Sequence, residues 1–315
     1  MVKRLLSLML LLAFAVPATA EDQTDRFNQT VNVGYVVVPF VARDRSGKPL
    51  DELRKKDVKL FVDGQEVALD LFEKVGNAPV SYAILLDGSG SMGLSGKMDG
   101  ARVAISTLLE RAKKGDDFAL HLFAEGEVRE LVPFTSDVKR IMNTVYEVEP
   151  WGKTAFFDAL AKMPDRSLLG NNGSRAIILV TDGFDNASEM TSDQLNDLLG
   201  GVDVPVYALG IRPEVPDDPE VRKLTDALLD IDILKRLSEV SGGRAAIVDN
   251  PTELRSAVLD IEKELRAQYL VGFSPTGRGP VRYRRIALEL PRRARSVHVR
   301  GGYRGTEPPL RIRSR

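Results

Sequence analysis

From Val80 to Arg266 short apolar runs alternate with stretches of helical period, which is the pattern of βαβ units around a mostly parallel sheet. The apolar runs predict strands at Val80 to Leu86, Phe118 to Phe123, Glu127 to Val132, Ala176 to Thr181, Val204 to Leu209 and Arg244 to Val248. Helical patterns fall between or after them, at Met98 to Lys113, Ser136 to Glu147, Ala155 to Met163, Ser192 to Leu199, Ile231 to Ser241 and Thr252 to Arg266. The fold class expected is therefore α/β, a doubly wound, mostly parallel sheet.

Strand grammar of a different kind flanks this region. Upstream, VNVGYVVVPFVAR reads as a strand, DRSGKP as a turn, and VKLFVDGQEVALDLF as two strands joined through Asp63-Gly64. Downstream, QYLVGFSP, VRYRRIALELP and SVHVRGGYRG return to β character. The expectation is that the two flanks pair into one small β-sandwich with the α/β domain inserted in it or flanked by it, an arrangement that is easy because domain termini often lie close together. The boundaries expected are a signal peptide at 1–20, an N-terminal β segment at 21–78, the α/β domain at 79–268, and a C-terminal β segment with a basic tail at 269–315. A chain of 315 residues has room for one large domain plus a smaller one. RPEVPDDPE at 212–220 reads as a surface excursion.

The first residues place Lys3 and Arg4 before an apolar run from Leu5 to Val16, then Ala18-Thr19-Ala20, the form of a secretory leader cleaved after about Ala20. The run is shorter than the roughly 20 residues of a spanning helix, so no stable membrane span is expected after cleavage. The chain has no cysteine, which rules out disulfides and a lipid-bearing cysteine and suits a bacterial periplasm or exterior. A formal net charge of -1 argues against nucleic acid as the partner. The arginines crowded between Arg282 and Arg315 partly alternate with apolar residues, which favours solvated strand faces over an anion-binding patch.

The first α/β strand ends in Asp87-Gly-Ser89-Gly-Ser91-Met-Gly. Gly88, Gly90 and Gly93 satisfy the spacing of a dinucleotide fingerprint, but that motif needs its helix to begin in the turn, and here LSGKMDG intervenes. A serine nucleophile at Ser89 or Ser91 would need a base and an orienting group, and the chain has only His121 and His298. An aspartyl-phosphate site would need a second aspartate where Ser89 stands. Metal coordination suits the residues better: a carboxylate and two hydroxyls at alternate positions of a tight turn can face one hollow, and hard cations take oxygen ligands. WGKTAFFDAL supplies Thr154 ahead of a helix, and IILVTDGFDN supplies Asp182 directly after a strand. The carboxyl ends of parallel strands share one sheet edge, so the three segments can converge.

Singly, each residue has an ordinary structural role. Asp87, Ser89 and Ser91 are common turn residues, Thr154 is a plausible helix N-cap, and Asp182-Gly183 is a frequent turn pair. Asp158 and Asp185 read as supporting or surface groups, and Trp151 as either an exposed contact or a buried anchor.

Taken in order, Asp87-x-Ser89-x-Ser91, Thr154 and Asp182 resemble the complete metal-ion-dependent adhesion site of von Willebrand factor type A domains. The resemblance covers about 79–268, and the flanks resemble bacterial secreted proteins in which β segments bracket such a domain. It implies that the three hydroxyls bind Mg2+ (or Mn2+ or Ca2+) while Asp87 and Asp182 act directly or through water. The ion then keeps an open position for an Asp or Glu of a protein partner. A cation-dependent binding or adhesion module without catalysis is the first functional expectation. The alternatives are a structural envelope scaffold and a metal-dependent hydrolase, the latter with no visible base apart from Lys97 and Lys153 in the site segments.

Overall fold

The computed structural model describes residues 35–76, 78–212, 220 and 231–308; the leader at 1–20, the interior of the 212–220 loop and the end of the basic tail lie outside them. Strand β1 (Val36–Arg43) is followed by β2 (Lys59–Val62), β3 (Gln65–Val67) and β4 (Leu71–Lys74). Asp63 and Gly64 both take positive φ, the geometry of a two-residue hairpin between β2 and β3. The sequence predicts two strands in this segment, and the structure has three. After β3 the chain leaves the hairpin, and β4 joins the other sheet beside a strand from the far end of the sequence.

The central sheet has six strands in the order β10-β9-β8-β5-β6-β7. They are β5 (Val80–Asp87), β6 (Asp117–Ala124), β7 (Glu127–Thr135), β8 (Ser174–Thr181), β9 (Val206–Ile211) and β10 (Ala245–Val248). All neighbours pair in parallel except β6 and β7. Pro133, which has no N–H to give a ladder, is tolerated in β7 because β7 is an edge strand.

Helices cover both faces: α1 (Lys97–Glu110), α2 (Val138–Tyr146), α3 (Phe156–Ala161), α4 (Met163–Ser167), α5 (Ser192–Leu199), α6 (Ile231–Val240) and α7 (Pro251–Arg266). Every residue of β5 is buried. Tyr82, Ile84 and Leu86 pack with α1, α2 and α7, while Ala83 and Leu85 pack with α3, α5 and α6. Each large aliphatic side chain buried this way contributes about 1.5–3 kcal/mol, which explains why the strand reads as one unbroken apolar run. The helix predicted from Ala155 to Met163 is α3, which ends at Ala161, and α4 follows with Pro164 in its first turn.

After α7 come β11 (Tyr269–Phe273), β12 (Arg282–Glu289), β13 (Ser296–Val299) and β14 (Gly302–Gly305). They complete two four-stranded sheets, β13-β1-β11-β4 and β14-β12-β2-β3. One apolar cluster joins these sheets, including Val38 and Phe40 of β1, Leu60 and Val62 of β2, Val271 and Phe273 of β11, Ile286 of β12 and Tyr303 of β14. The chain enters the α/β layer after β4 and leaves it into β11, and these two strands pair antiparallel with Tyr269 opposite Lys74.

Two of the arginines read from sequence as solvated are buried. Arg284 binds Asp63 at 3.1 Å and the Gly305 carbonyl, while Arg300 binds Asp203 and the Val202 carbonyl in the turn before β9. Among the described residues no helix is long and apolar enough to cross a membrane.

Candidate metal centre

From β5 the chain moves to β6 on one side, and it later returns to β8 on the other. The strand order thus reverses at the carboxyl end of β5, where open α/β sheets characteristically have a crevice. Asp87 is the last residue of β5, and Asp182 directly follows β8. The chain then turns at Gly88, where a Cβ would stand 2.6 Å from Leu122 Cδ1 and would push that side chain aside. A 3-10 turn at Gly90–Gly93 follows, and Ser95 and Gly96, both with positive φ, redirect the chain into α1. The helix begins at Lys97, well past the glycines, which removes the geometry a dinucleotide fingerprint requires.

The loop carrying Thr154 is stitched to this turn through the backbone. Trp151 N–H donates to the Gly88 carbonyl at 2.8 Å, and Gly90 N–H donates to the Gly152 carbonyl at 3.0 Å. Gly152 has φ of +76°, and a Cβ there would lie 2.5 Å from Glu125 Cγ, while the Glu125 carboxylate accepts from Lys153 N–H. A second latch comes from the loop after β8: Asn186 accepts from Thr154 N–H through its side chain and donates its own N–H to the Thr154 carbonyl, both at 3.0 Å. Asp185 accepts from Phe157 N–H and Ser188, and Asp158 accepts from Glu189 and Met190 N–H. Both aspartates therefore hold this loop against α3, one of the two roles read for them from sequence.

Asp87, Ser89, Thr154 and Asp182 are all buried, and Ser91 is partly so. Ser89 Oγ lies 3.1 Å from Ser91 Oγ, and Ser89 N–H donates to Asp87 Oδ1 at 2.9 Å. Thr181 Oγ1 donates to Asp87 Oδ2 at 2.6 Å and accepts from Gly183 N–H. Lys97 Nζ donates to Asp182 Oδ2 at 2.6 Å, with both side chains buried. Burial pushes the Asp87 carboxyl up to about 6, the charge of Asp182 adds to the rise, and the hydrogen bonds from Thr181 and Ser89 oppose it.

The five residues expected from sequence offer only oxygens, two carboxylates and three hydroxyls, a set that would suit a hard divalent cation. The charge of Asp182 disfavours that of buried Asp87, which has hydrogen-bond donors as partners, whereas Asp182 itself has the Lys97 ammonium as counter-charge. Among the described residues no three His, Cys, Asp or Glu side chains gather as a carboxylate-rich or nitrogen-rich cage. Neither histidine bonds to these residues. His121 is buried in β6 with Glu130 at 3.5 Å, and His298 of β13 lies 3.6 Å from Glu264.

Three large apolar side chains on the segments that carry the five site residues are exposed. Leu94 is 63% exposed, Trp151 48% and Phe184 39%, and each belongs to a different one of the three converging segments. Arg129 stacks over the Trp151 ring at 5.9 Å. Thr181 and Asn186 were not singled out from sequence. Thr181 had a signal, since a hydroxyl ending an apolar run must reach the same sheet edge as Asp182.

An open α/β sheet with an oxygen-lined site at its switch point defines the class of the domain. Residues 82–184, about a third of the chain, match the family model of the von Willebrand factor type A domain, and the α/β layer has that fold. A structure of von Willebrand factor type A from Catenulispora acidiphila is similar at 16% identity and a TM-score of 0.50, covering 88% of this chain and 66% of that one. An aerotolerance-related membrane protein from Bacteroides fragilis is similar at 23% identity and a TM-score of 0.47, with 59% and 98% covered. The PilB minor pilin from Streptococcus sanguinis is similar at 13% identity and a TM-score of 0.45, with 73% and 87% covered. No curated protein matches the chain.

Proposed function

We propose that the chain is an exported, cation-dependent protein-binding module of the adhesion or envelope-assembly kind, and that it is not an enzyme. Asp87, Ser89, Ser91, Thr154 and Asp182 would hold Mg2+, or Mn2+ or Ca2+ in its place. The bound ion supplies a Lewis-acidic position for an Asp or Glu side chain of the partner. The observation that carries this reading is that the three segments bearing these residues are hydrogen-bonded together at one sheet edge, Trp151 to Gly88, Gly90 to Gly152 and Thr154 to Asn186, with Leu94, Trp151 and Phe184 exposed on them. Exposed aromatic and aliphatic side chains on these segments give a protein ligand area to bury along with its carboxylate. Few direct carboxylates leave the ion with residual positive charge, which a third or fourth would have quenched.

A hydrolase reading would need a base at the site, and the groups hydrogen-bonded to Asp87 and Asp182 are Ser89, Thr181, Lys97 and Phe184 N–H. The flanking β segments serve, in this proposal, as the mount that carries the α/β domain at 79–268. Export follows from the leader read at 1–20, with cleavage after about Ala20.

Thermal melts across a Mg2+ titration test the ion. At a hundredfold excess over its dissociation constant the wild type should gain about 2.7 kcal/mol, and a Ser89→Ala, Ser91→Ala variant should gain much less. Capture of partners from bacterial envelope extract should be lost in chelator. An unchanged melting temperature together with chelator-resistant capture removes the metal from the function.

A further inference from the structure

Lys97 is placed where a lysine is poorly stabilised by its own helix. It is the first residue of α1, at the positive end of the helix dipole, where acidic side chains are preferred. Its ammonium is also taken out of water, which is unfavourable unless a counter-charge compensates. That counter-charge is Asp182, 2.6 Å away and buried, one of the five residues proposed to hold the divalent ion. After the left-handed pair Ser95 and Gly96, Lys97 is buried against Asp182 while Asp99, two residues on, is exposed.

We propose that Lys97 is the resident cation of this centre, and that a divalent ion binds only by competing with it for Asp182. The inference rests on the metal reading above and deepens it. With Lys97 in place, one of the two buried carboxylates is neutralised within the chain, so the loops hold their arrangement without an ion. The same contact opposes the ion twice: it occupies an oxygen of Asp182, and it keeps a positive charge beside the incoming one. The centre thus becomes a concentration gate, folded at all times and loaded only when the divalent ion is plentiful. The exposed Lys153, next to Thr154 in sequence, has no such contact and is not part of the gate.

The test is calorimetric titration of Mg2+ into the full chain and into Lys97→Met, Lys97→Gln and Lys97→Arg variants, with thermal melts in chelator and in excess Mg2+. The neutral variants should bind Mg2+ at least tenfold more tightly than the wild type, and the arginine variant should not. In chelator the neutral variants should melt below the wild type, and Mg2+ should restore them by a larger shift than it gives the wild type. Using two neutral variants guards against one that packs badly. Equal Mg2+ affinity in the wild type and neutral variants overturns the role of Lys97 and leaves the metal reading standing. Absence of Mg2+ binding in all four proteins overturns both.

Discussion

Thr181 donates its hydroxyl to Asp87 across 2.6 Å, joining the ends of two parallel strands that are 94 residues apart in sequence. The bond satisfies one oxygen of a fully buried carboxylate, and Ser89 N–H satisfies the other. Thr181→Val keeps the shape and deletes the donor. Hydrogen bonds to charged groups contribute about 1.5–3 kcal/mol, so urea denaturation should show a loss of that size. A loss below about 0.5 kcal/mol would mean that Asp87 finds another donor.

The site residues should separate by role when substituted. Asp87→Ala removes the carboxylate nearest the turn and should abolish Mg2+ binding by calorimetry. Thr154→Ala should fold normally, because the Thr154 loop is held by backbone bonds from Gly88, Gly90 and Asn186 and not by the hydroxyl. It should nonetheless weaken partner capture, since Thr154 is one of the five residues proposed to hold the ion that takes the partner's carboxylate. Wild-type capture by Thr154→Ala at saturating Mg2+ would refute that assignment.

Glu264 of α7 should control the acid limb of stability. Burial pushes its carboxyl up, but the hydrogen bond with His298 and the charges of Arg244 and Arg43 outweigh this and hold it below the usual range. A carboxylate depressed in the folded state stabilises fully above its unfolded value of about 4.3, and the contribution disappears as pH falls through the folded value. Glu264→Gln should therefore cost about 3 kcal/mol at pH 7, and the deficit should shrink towards zero as pH falls below about 4. A deficit independent of pH would assign the effect to packing.

We propose that residues 79–268 form a domain inserted between the β segments. The pairing of β4 with β11 brings the two connections side by side, so excision leaves few broken contacts there. Expressed alone, 79–268 should be soluble and melt cooperatively, and Mg2+ should shift its melting temperature as it shifts that of the full chain. Aggregation of this fragment would show that the bonds it loses to the β segments, among them Arg43 and His298 on Glu264 and Arg300 on Asp203, are needed for folding.

Much of the architecture was legible from the chain alone, because strands and helices announce themselves by local period. The unbroken run at β5 meant burial on both faces, and Asp87 and Asp182 at strand ends, with Thr154 just ahead of a helix, could meet at one sheet edge. Hairpin geometry at Asp63-Gly64 was equally local. The crossing of β4 into the other sheet was not, since it depends on β11, which lies almost two hundred residues away. Nor was the burial of Arg284 and Arg300, whose alternation with apolar neighbours looked like a solvated face until Asp63 and Asp203 supplied counter-charges from distant turns. The same holds for Lys97: the sequence placed a lysine near the site, and only the fold set it against Asp182, 85 residues on. Periodicity is a property of neighbours along the chain, whereas the burial of a charge is decided by its partner, and partners are chosen by tertiary structure.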